Sequence, residues 1–194
     1  MKRKAKIIRE TKETKIRLEL NLDGNGIAEI DTQNGFFDHI LTSFSKHGKF
    51  DLKIMARGDV KTGLHHLVED VGICLGKAIN ESIGQKKGIE RFGFFILPMD
   101  DAEITVSLDI SGRAFLRFDV DMPYSLIEGF ETILIKDFFE AVTSNAFINL
   151  HIKKNSGVNP HHIAEAIFKS FGKALSIASR ITGNDEVPST KGAL

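Results

Sequence analysis

The chain has 194 residues, which is enough for one domain with a substantial core or for two small domains packed together. Its 26 basic and 26 acidic side chains cancel, and no apolar run is as long as a membrane span, so we expect neither nucleic acid nor a membrane as a partner. The basic N-terminus leads into no apolar signal segment, and the single cysteine, Cys74, cannot form an internal disulfide, so we expect a cytoplasmic protein with Cys74 in its core.

The hydrophobic pattern of the first half predicts a series of strands, then a helix, a strand and a second helix. We expect strands at residues 5–10, 14–22, 26–31 and 50–56 and helices at residues 36–46 and 64–83. The turn sequence Asp-Gly-Asn-Gly at residues 23–26 favours a hairpin between the second and third strands.

The second half repeats this order of elements. We expect strands at residues 93–97, 102–110, 114–120 and 147–154 and helices at residues 131–144 and 160–181. The repetition indicates an internal duplication, with one half at residues 1–92 and the other at residues 93–194. Because no linker rich in Gly, Pro or Ser separates the halves, we expect them to pack as one compact unit.

An unusual cluster begins the last helix of each half, at residues 65–69 and 161–165. Each cluster has two adjacent histidines and a glutamate four residues after the first histidine. Residues i and i+4 share a helix face, so the first histidine and the glutamate can hold one metal ion. Imidazoles and carboxylates are the usual ligands of Mn, Fe and Zn. The second histidine is turned by about 100° and reaches a second ion, so the repeated motif predicts two metals.

Two residues on the shorter helices are candidates to complete these sites. His39 lies 26 residues before the first motif, and Asp137 lies 24 residues before the second, each beside a pair of phenylalanines. A symmetric arrangement would use His39 for one ion and Asp137 for the other. Asp137 could instead be an ordinary helix charge, and His151 on the neighbouring strand is a rival ligand.

Ordered motifs along almost the whole chain give it a specific resemblance. They are Arg9–Thr14, Leu22–Gly26, Gly35–Leu41, His47–Gly48, His65–Gly72, Gly157 with Asn159, His161–His162 with Glu165, and Val187–Gly192. Together they resemble the imidazoleglycerol-phosphate dehydratase family, in its monofunctional form. The resemblance implies a duplicated α+β fold of mixed four-stranded sheets with helices packed on one face, similar to domain 2 of ribosomal protein S5. It also implies trimers that assemble, promoted by Mn2+, into a shell of 24 subunits.

The resemblance implies a metal site with two Mn2+ ions. The implied ligands are His39, His65, His66, Glu69, His161, His162 and Glu165. The eighth ligand of the family is commonly a histidine, at the position of Asp137. A carboxylate is a competent Mn2+ ligand, so we keep Asp137 in the predicted set.

The implied reaction is a dehydration in histidine biosynthesis that converts imidazoleglycerol phosphate into imidazole acetol phosphate. The proton that leaves carbon is not acidic, because no carbonyl stands next to it. Two Mn2+ ions that flank the imidazole ring would stabilise it as an imidazolate, which can expel the neighbouring hydroxyl. Glu13 is the candidate for proton transfer or for binding the substrate hydroxyl, and Glu69 and Glu165 could assist.

The resemblance also implies where the rest of the substrate binds. Cationic donors suit its phosphate group. The residues that match phosphate-contacting positions are Arg91, Arg113, Ser189, Thr190 and Lys191. His47 is a candidate for the cavity wall, and the predicted substrate contacts also include Glu13, His39, His65 and Glu69. Val158 stands where many relatives have a lysine.

Three other functions fit parts of the sequence. A metallopeptidase motif of the form HxxEH is incomplete, because Asp70 stands where the last histidine should be. A ferritin-type oxidase needs four long helices, which the many predicted strands contradict. A non-catalytic oligomeric metalloprotein would bind the same metals, but it would need no phosphate site with residues such as Arg91 and Lys191.

Overall fold

The computed structural model describes residues 3–58, 60, 63–183 and 185–192, so Met1 and Lys2 of the basic N-terminus lie outside it. The first half follows the predicted order of elements. Its elements are β1 (Lys4–Glu10), β2 (Thr14–Asn21), β3 (Ala28–Asp31), α1 (Gly35–Gly48), β4 (Asp51–Gly58) and α2 (His65–Ile83). The helix that begins with the first histidine motif is therefore present as predicted.

The second half repeats the order and adds a small hairpin. Its elements are β5 (Phe92–Met99), β6 (Ala102–Asp109), β7 (Phe115–Asp119), β8 (Leu126–Ile127), β9 (Phe130–Glu131), α3 (Leu134–Ala146), β10 (Asn149–Ser156) and α4 (Pro160–Ala178). The predicted start of a helix at residue 131 is wrong, because Phe130 and Glu131 pair with β8 as a two-stranded sheet. Phe130 is fully buried against Phe36 and Phe37, which fixes this hairpin on α1.

The two large sheets have the same strand order, β1-β2-β4-β3 and β5-β6-β10-β7. The last strand in each order runs parallel to its neighbour, and the other pairs are antiparallel, so both sheets are mixed. This arrangement confirms the expected α+β fold with two mixed four-stranded sheets. The predicted hairpin between the second and third strands is wrong, because β4 lies between β2 and β3.

The turn at residues 23–26 crosses the end of β4 instead of closing a hairpin. The carboxylate of Asp51 accepts hydrogen bonds from the backbone N–H groups of Asn25, at 2.8 Å, and Ile27, at 3.2 Å. A Cβ atom on Gly24 would lie 2.2 Å from the Asp51 nitrogen, so only glycine can pass over the strand here. A long-range contact with Asp51 therefore decides where the chain goes after this turn.

The four helices form a layer between the two sheets. Alternate residues of β2 and β6 are buried beneath the helices, and the opposite face of each sheet is exposed. Helix α1 packs against α4, and α2 packs against α3, so each close helix pair joins the two halves. Among the described residues, no helix is both long and apolar enough to cross a membrane.

Aromatic rings fill the space between the helix pairs. Phe138 and Phe139 of α3 contact Phe168 of α4 at ring-centroid distances of 5.2 Å, and Phe44 of α1 stacks on Phe171 at 5.2 Å. Cys74 is fully buried in the same core, as the sequence predicts, and burial raises the pKa of its thiol to about 11. The helices are therefore held in a fixed register across the two halves.

Candidate metal centre

Helices α1 and α4 bring three metal-ligating side chains together from opposite halves of the chain. His39 Nε2 lies 3.4 Å from Glu165 Oε1, and His161 Nε2 lies 3.6 Å from Glu165 Oε2. One donor atom from each of the three residues lies within 4.8 Å of the other two. Ligands at about 2.1 Å from one ion are at most about 4.2 Å apart, so this group needs only a small adjustment to hold a metal. Among the described residues, this is the group whose donor atoms are arranged to hold a metal ion.

Local sequence signals place both helices of this site. The Asn34 side chain caps α1 by accepting from the Phe37 N–H at 2.9 Å. Asn159 caps α4 in the same way, accepting from the His161 N–H at 2.9 Å, and Pro160 opens that helix. The cap places the adjacent histidines in the first turn of α4, where their side chains are partly exposed at the end of the helix layer.

Glu165 is buried and keeps its charge through a neighbour that the sequence reasoning missed. Burial by itself would raise the pKa of Glu165, but the ammonium group of Lys169 lies 2.9 Å away and lowers it below its usual value, with a smaller contribution from His39. Lys169 follows Glu165 by four residues, which is the spacing of a helical ion pair and was a usable signal. The carboxylate is therefore available as an anionic ligand.

Helices α2 and α3 bring three more of the predicted ligands together, His65, Glu69 and Asp137, again from opposite halves. His65 Nδ1 lies 3.3 Å from Asp137 Oδ2, and His65 Nε2 lies 3.8 Å from Glu69 Oε2. The two carboxylates thus approach opposite ring nitrogens, so their oxygens and one His65 nitrogen do not surround a single point. All three side chains are partly open to solvent and line a cavity of about 270 Å³. The donor atoms of this second group are therefore less well arranged to hold one ion than those of the first group.

Each second histidine of the motifs faces a carboxylate in the hairpin turn of its own half. His66 Nδ1 lies 3.6 Å from Glu13 Oε2, and His162 Nδ1 lies 2.6 Å from Asp101 Oδ1. These rings therefore point away from the donor groups that contain His65 and His161, as expected for neighbouring helix positions. Asp101 was not identified from the sequence, because its contact with His162 spans 61 residues and has no local signal.

A buried network fixes the turn that carries Glu13. Asp70 of α2 accepts from Arg9 Nε at 2.8 Å and from the Thr14 hydroxyl. The Thr11 hydroxyl accepts from the Glu13 N–H at 3.1 Å and the Thr14 N–H at 3.0 Å. Helix α2 and the Glu13 turn are thus joined through Asp70, although the Glu13 carboxylate itself is largely exposed.

The predicted phosphate contacts lie near the C-terminal segment or on the surface. Arg91 donates to Asp109 from Nε at 2.8 Å, and its Nη1 donates to the Pro188 carbonyl at 2.8 Å. That contact holds the segment that leads into Ser189, Thr190 and Lys191. The Ser189 hydroxyl accepts from the Lys191 N–H at 3.2 Å, and Arg113 is exposed in the turn after β6.

Two further histidines occupy different surroundings. His47 is half-buried in the last turn of α1, and burial, followed by the positive charges of Lys169 and Lys173, lowers its pKa. His151 lies on the exposed face of β10 beside Phe115, with ring centroids 5.5 Å apart. His151 is therefore directed away from the helices that carry the other histidines.

The fold and these groups define an α+β protein class in which histidine–carboxylate clusters form between paired helices from two similar halves. The profile of the imidazoleglycerol-phosphate dehydratase family matches residues 32–175. The chain belongs to this family.

Relatives match the chain over its full length. Imidazoleglycerol-phosphate dehydratase from Acetivibrio thermocellus is 50% identical over 195 residues, covering 100% of both chains. The protein of this name from Caldanaerobacter subterraneus is 50% identical over 193 residues, covering 99% of this chain and 100% of its own.

Solved structures agree with the fold. Imidazoleglycerol-phosphate dehydratase from Pyrococcus furiosus superposes with a TM-score of 0.84 at 40% identity, covering 97% of this chain and 100% of that one. The Staphylococcus aureus protein gives 0.83 at 37% identity, covering 92% and 99%. The protein is thus a hydro-lyase that dehydrates imidazoleglycerol phosphate in histidine biosynthesis, as the sequence resemblance implied.

Proposed function

We propose that the dehydratase site of this protein works with two Mn2+ ions, bound by helix ends from both halves. The observation that carries the proposal is the convergence of His39, His161 and Glu165, which supplies two imidazole nitrogens and one carboxylate. This donor set suits Mn2+, Fe2+ and Zn2+. The remaining proposed ligands are His65, His66, Glu69, Asp137 and His162.

The proposed roles follow from where each side chain lies. When bound, the metal ions supply Lewis-acid stabilisation of charge on the substrate imidazole ring. Glu13 Oε2 takes or returns the proton at the substrate side chain, since it is an exposed carboxylate beside His66. Glu69 supports this step because it lines two neighbouring cavities. One of them contains Glu13 and His66, and the other contains His65. Glu165, a buried ligand, assists mainly by its charge.

The phosphate of the substrate is proposed to bind between cationic and hydroxyl groups. Arg91 is held by Asp109 and donates to the Pro188 carbonyl, so its guanidinium and the segment that follows Pro188 lie side by side. The other proposed contacts are Arg113, Ser189, Thr190 and Lys191, with His39, His47 and His65 nearer the imidazole end. Arginine favours such sites because its guanidinium binds two phosphate oxygens at once.

We also propose that the chain assembles into trimers and then into a 24-subunit shell in the cytoplasm. The exposed face of the second sheet supports self-association, because it carries Phe92, Phe94, Ile96 and Phe115, each more than half exposed. The ligand group around His65 is incomplete within one chain, which favours completion by a neighbour. The buried thiol of Cys74 suits a reducing compartment.

Metal removal and restoration tests the proposal. Protein stripped of metal should lose dehydration of imidazoleglycerol phosphate, and added Mn2+ should restore activity and a large particle together, with about two ions per chain. Light scattering follows the particle in the same samples. Return of the particle without turnover would indicate a structural metal and contradict the catalytic role.

A pair of variants tests the weaker ligand group. Asp137→Ala should bind about one ion fewer per chain, because it removes a ligand from the group with His65 and Glu69. Glu140→Ala is the matched control, since Glu140 lines the same cavity but pairs with Lys136 at 3.5 Å. Equal metal content in both variants would exclude Asp137 from the ligand set.

A further inference from the structure

Glu13 and Asp101 occupy equivalent positions in the two halves. Glu13 immediately precedes β2 and Asp101 immediately precedes β6, which are eight-residue strands in the second place of their sheets. The register agrees as well, because the corresponding cross-strand pairs are Leu20 with Leu52 and Leu108 with Leu150. Each carboxylate therefore lies in the equivalent hairpin turn of its own half and faces the second histidine of that half's motif.

The two carboxylates nevertheless differ in how firmly they are held. Asp101 Oδ2 accepts from the backbone N–H groups of Val158, at 2.7 Å, and Asn159, at 3.1 Å, just before α4. Its Oδ1 lies 2.6 Å from His162 Nδ1. Asp101 is therefore held by three contacts, two from backbone N–H groups and one with His162. Glu13 lies 3.6 Å from its histidine, beyond hydrogen-bonding distance, on a longer and more exposed side chain.

The neighbours of His162 also indicate which ring nitrogen carries the proton. Carboxylates approach both ring nitrogens, but Asp101 lies 2.6 Å from Nδ1 and Asp100 only 3.5 Å from Nε2, so the closer contact favours the proton at Nδ1. Asn159 Oδ1 accepts from the His161 N–H, so the amide nitrogen of Asn159 lies 3.4 Å from Nε2 and can donate to it. A neutral imidazole with an acceptor at Nε2 has its proton at Nδ1, where Asp101 accepts it.

We propose that Asp101 is a positioning residue that fixes the tautomer and the ring direction of His162, so that Nε2 is directed to a metal ion. This inference rests on the proposed function, in which His162 is a ligand. Histidine ligands commonly donate their other N–H to a carboxylate, which orients the ring and raises its basicity. The duplicated turns have therefore diverged: the carboxylate of the second half holds a ligand in place, and that of the first half stays free to move a proton.

Metal affinity in the full-length protein tests this role. Asp101→Asn keeps the size of the side chain and one acceptor for the Val158 N–H, but it removes the anionic acceptor from His162. We expect it to weaken Mn2+ binding by about 10-fold to 100-fold, measured by equilibrium dialysis. The unfolding midpoint of the metal-free protein should fall only modestly, because the Val158 N–H keeps a neutral acceptor, and Asp101→Glu should recover much of the affinity.

Asp100→Asn is the matched control, because it removes the same charge from the adjacent, more exposed residue, whose Oδ2 lies 3.5 Å from His162 Nε2. An exposed charge of this kind should alter affinity by at most about fivefold. Wild-type affinity in Asp101→Asn, or an equal loss in Asp100→Asn, would overturn the positioning role.

A third variant separates this inference from the proposed function. His162→Gln should lose more affinity than Asp101→Asn, because it removes the ligand itself. Wild-type Mn2+ binding in His162→Gln would mean that the proposed ligand set is wrong. Weakened binding in His162→Gln with normal binding in Asp101→Asn would reject only the role of Asp101.

Discussion

Residue identity sets the possible chemistry, and the surroundings of each carboxylate select its use. Glu165 is buried beside Lys169 and is suited to bind a cation. Asp70 is buried by Arg9 and Thr14 and holds a turn in place. Glu13 is exposed, with its backbone fixed and its carboxylate free to approach a ligand. In the proposed mechanism the same functional group therefore serves as a ligand at Glu165, as a structural acceptor at Asp70 and as a proton-transfer group at Glu13.

Glu13→Gln tests the proton-transfer position. The amide keeps the shape of the side chain but cannot accept a proton, so turnover should fall by about 10²-fold to 10⁴-fold. Metal content and particle size should stay unchanged, because the Glu13 turn is held through Thr11 and its backbone. The assay is steady-state dehydration, with metal analysis of the same preparations.

Glu10→Gln is the control for that substitution. Glu10 ends β1, is exposed and pairs with Lys15 at 3.4 Å, so its neutralisation should leave turnover near the wild-type value. A fully active Glu13→Gln variant would remove Glu13 from the mechanism.

Helix packing places the proposed ligands, because each donor group combines one helix from each half. The helices approach closely where glycine replaces a side chain: a Cβ atom on Gly76 of α2 would lie 2.5 Å from the Val142 carbonyl of α3. A Cβ atom on Gly172 of α4 would lie 2.5 Å from the Phe44 carbonyl of α1. Both helix pairs therefore depend on close backbone contact at glycine positions.

Gly76→Ala tests this contact. The added methyl group forces α2 and α3 apart, so the free energy of unfolding should fall by about 1–3 kcal/mol despite the better helix propensity of alanine. The measurement is urea unfolding of the metal-free protein. Lys77→Ala, on the exposed side of the same helix, should change stability by less than about 0.5 kcal/mol. A Gly76→Ala variant as stable as the wild type would show that the helices have room to separate.

The two halves share a topology but expose different surfaces. The exposed face of the first sheet carries ion pairs such as Lys6 with Glu19 and Arg57 with Asp31. The exposed face of the second sheet carries the phenylalanine group around Phe94. The division of the chain at residues 92 and 93 stays a prediction, but it accounts for a repeated topology with ligand groups formed between the repeats. The apolar face is the better candidate for contact between subunits.

Phe94→Asp tests that face. A charge placed in an apolar interface loses its hydration, so the variant should give smaller particles by light scattering in the presence of Mn2+. Ile8→Asp is the control, because Ile8 is equally exposed but lies on the first sheet among charged neighbours. Unchanged particles in Phe94→Asp, or equal disruption by Ile8→Asp, would reject the second sheet as the particular contact surface.

The sequence by itself determined the order of elements, the repeated histidine motifs and the family, because these depend on local periodicity, capping residues and motif spacing. It also indicated that His39 and Asp137 serve corresponding positions. Only the tertiary structure decided which histidine motif each of them lies beside: His39 lies beside His161, and Asp137 lies beside His65. The crossover at Asp51 and the pairing of Asp101 with His162 were likewise out of reach, because both are contacts between segments far apart in sequence. Such contacts depend on how sheets and helices pack, and no local pattern records that.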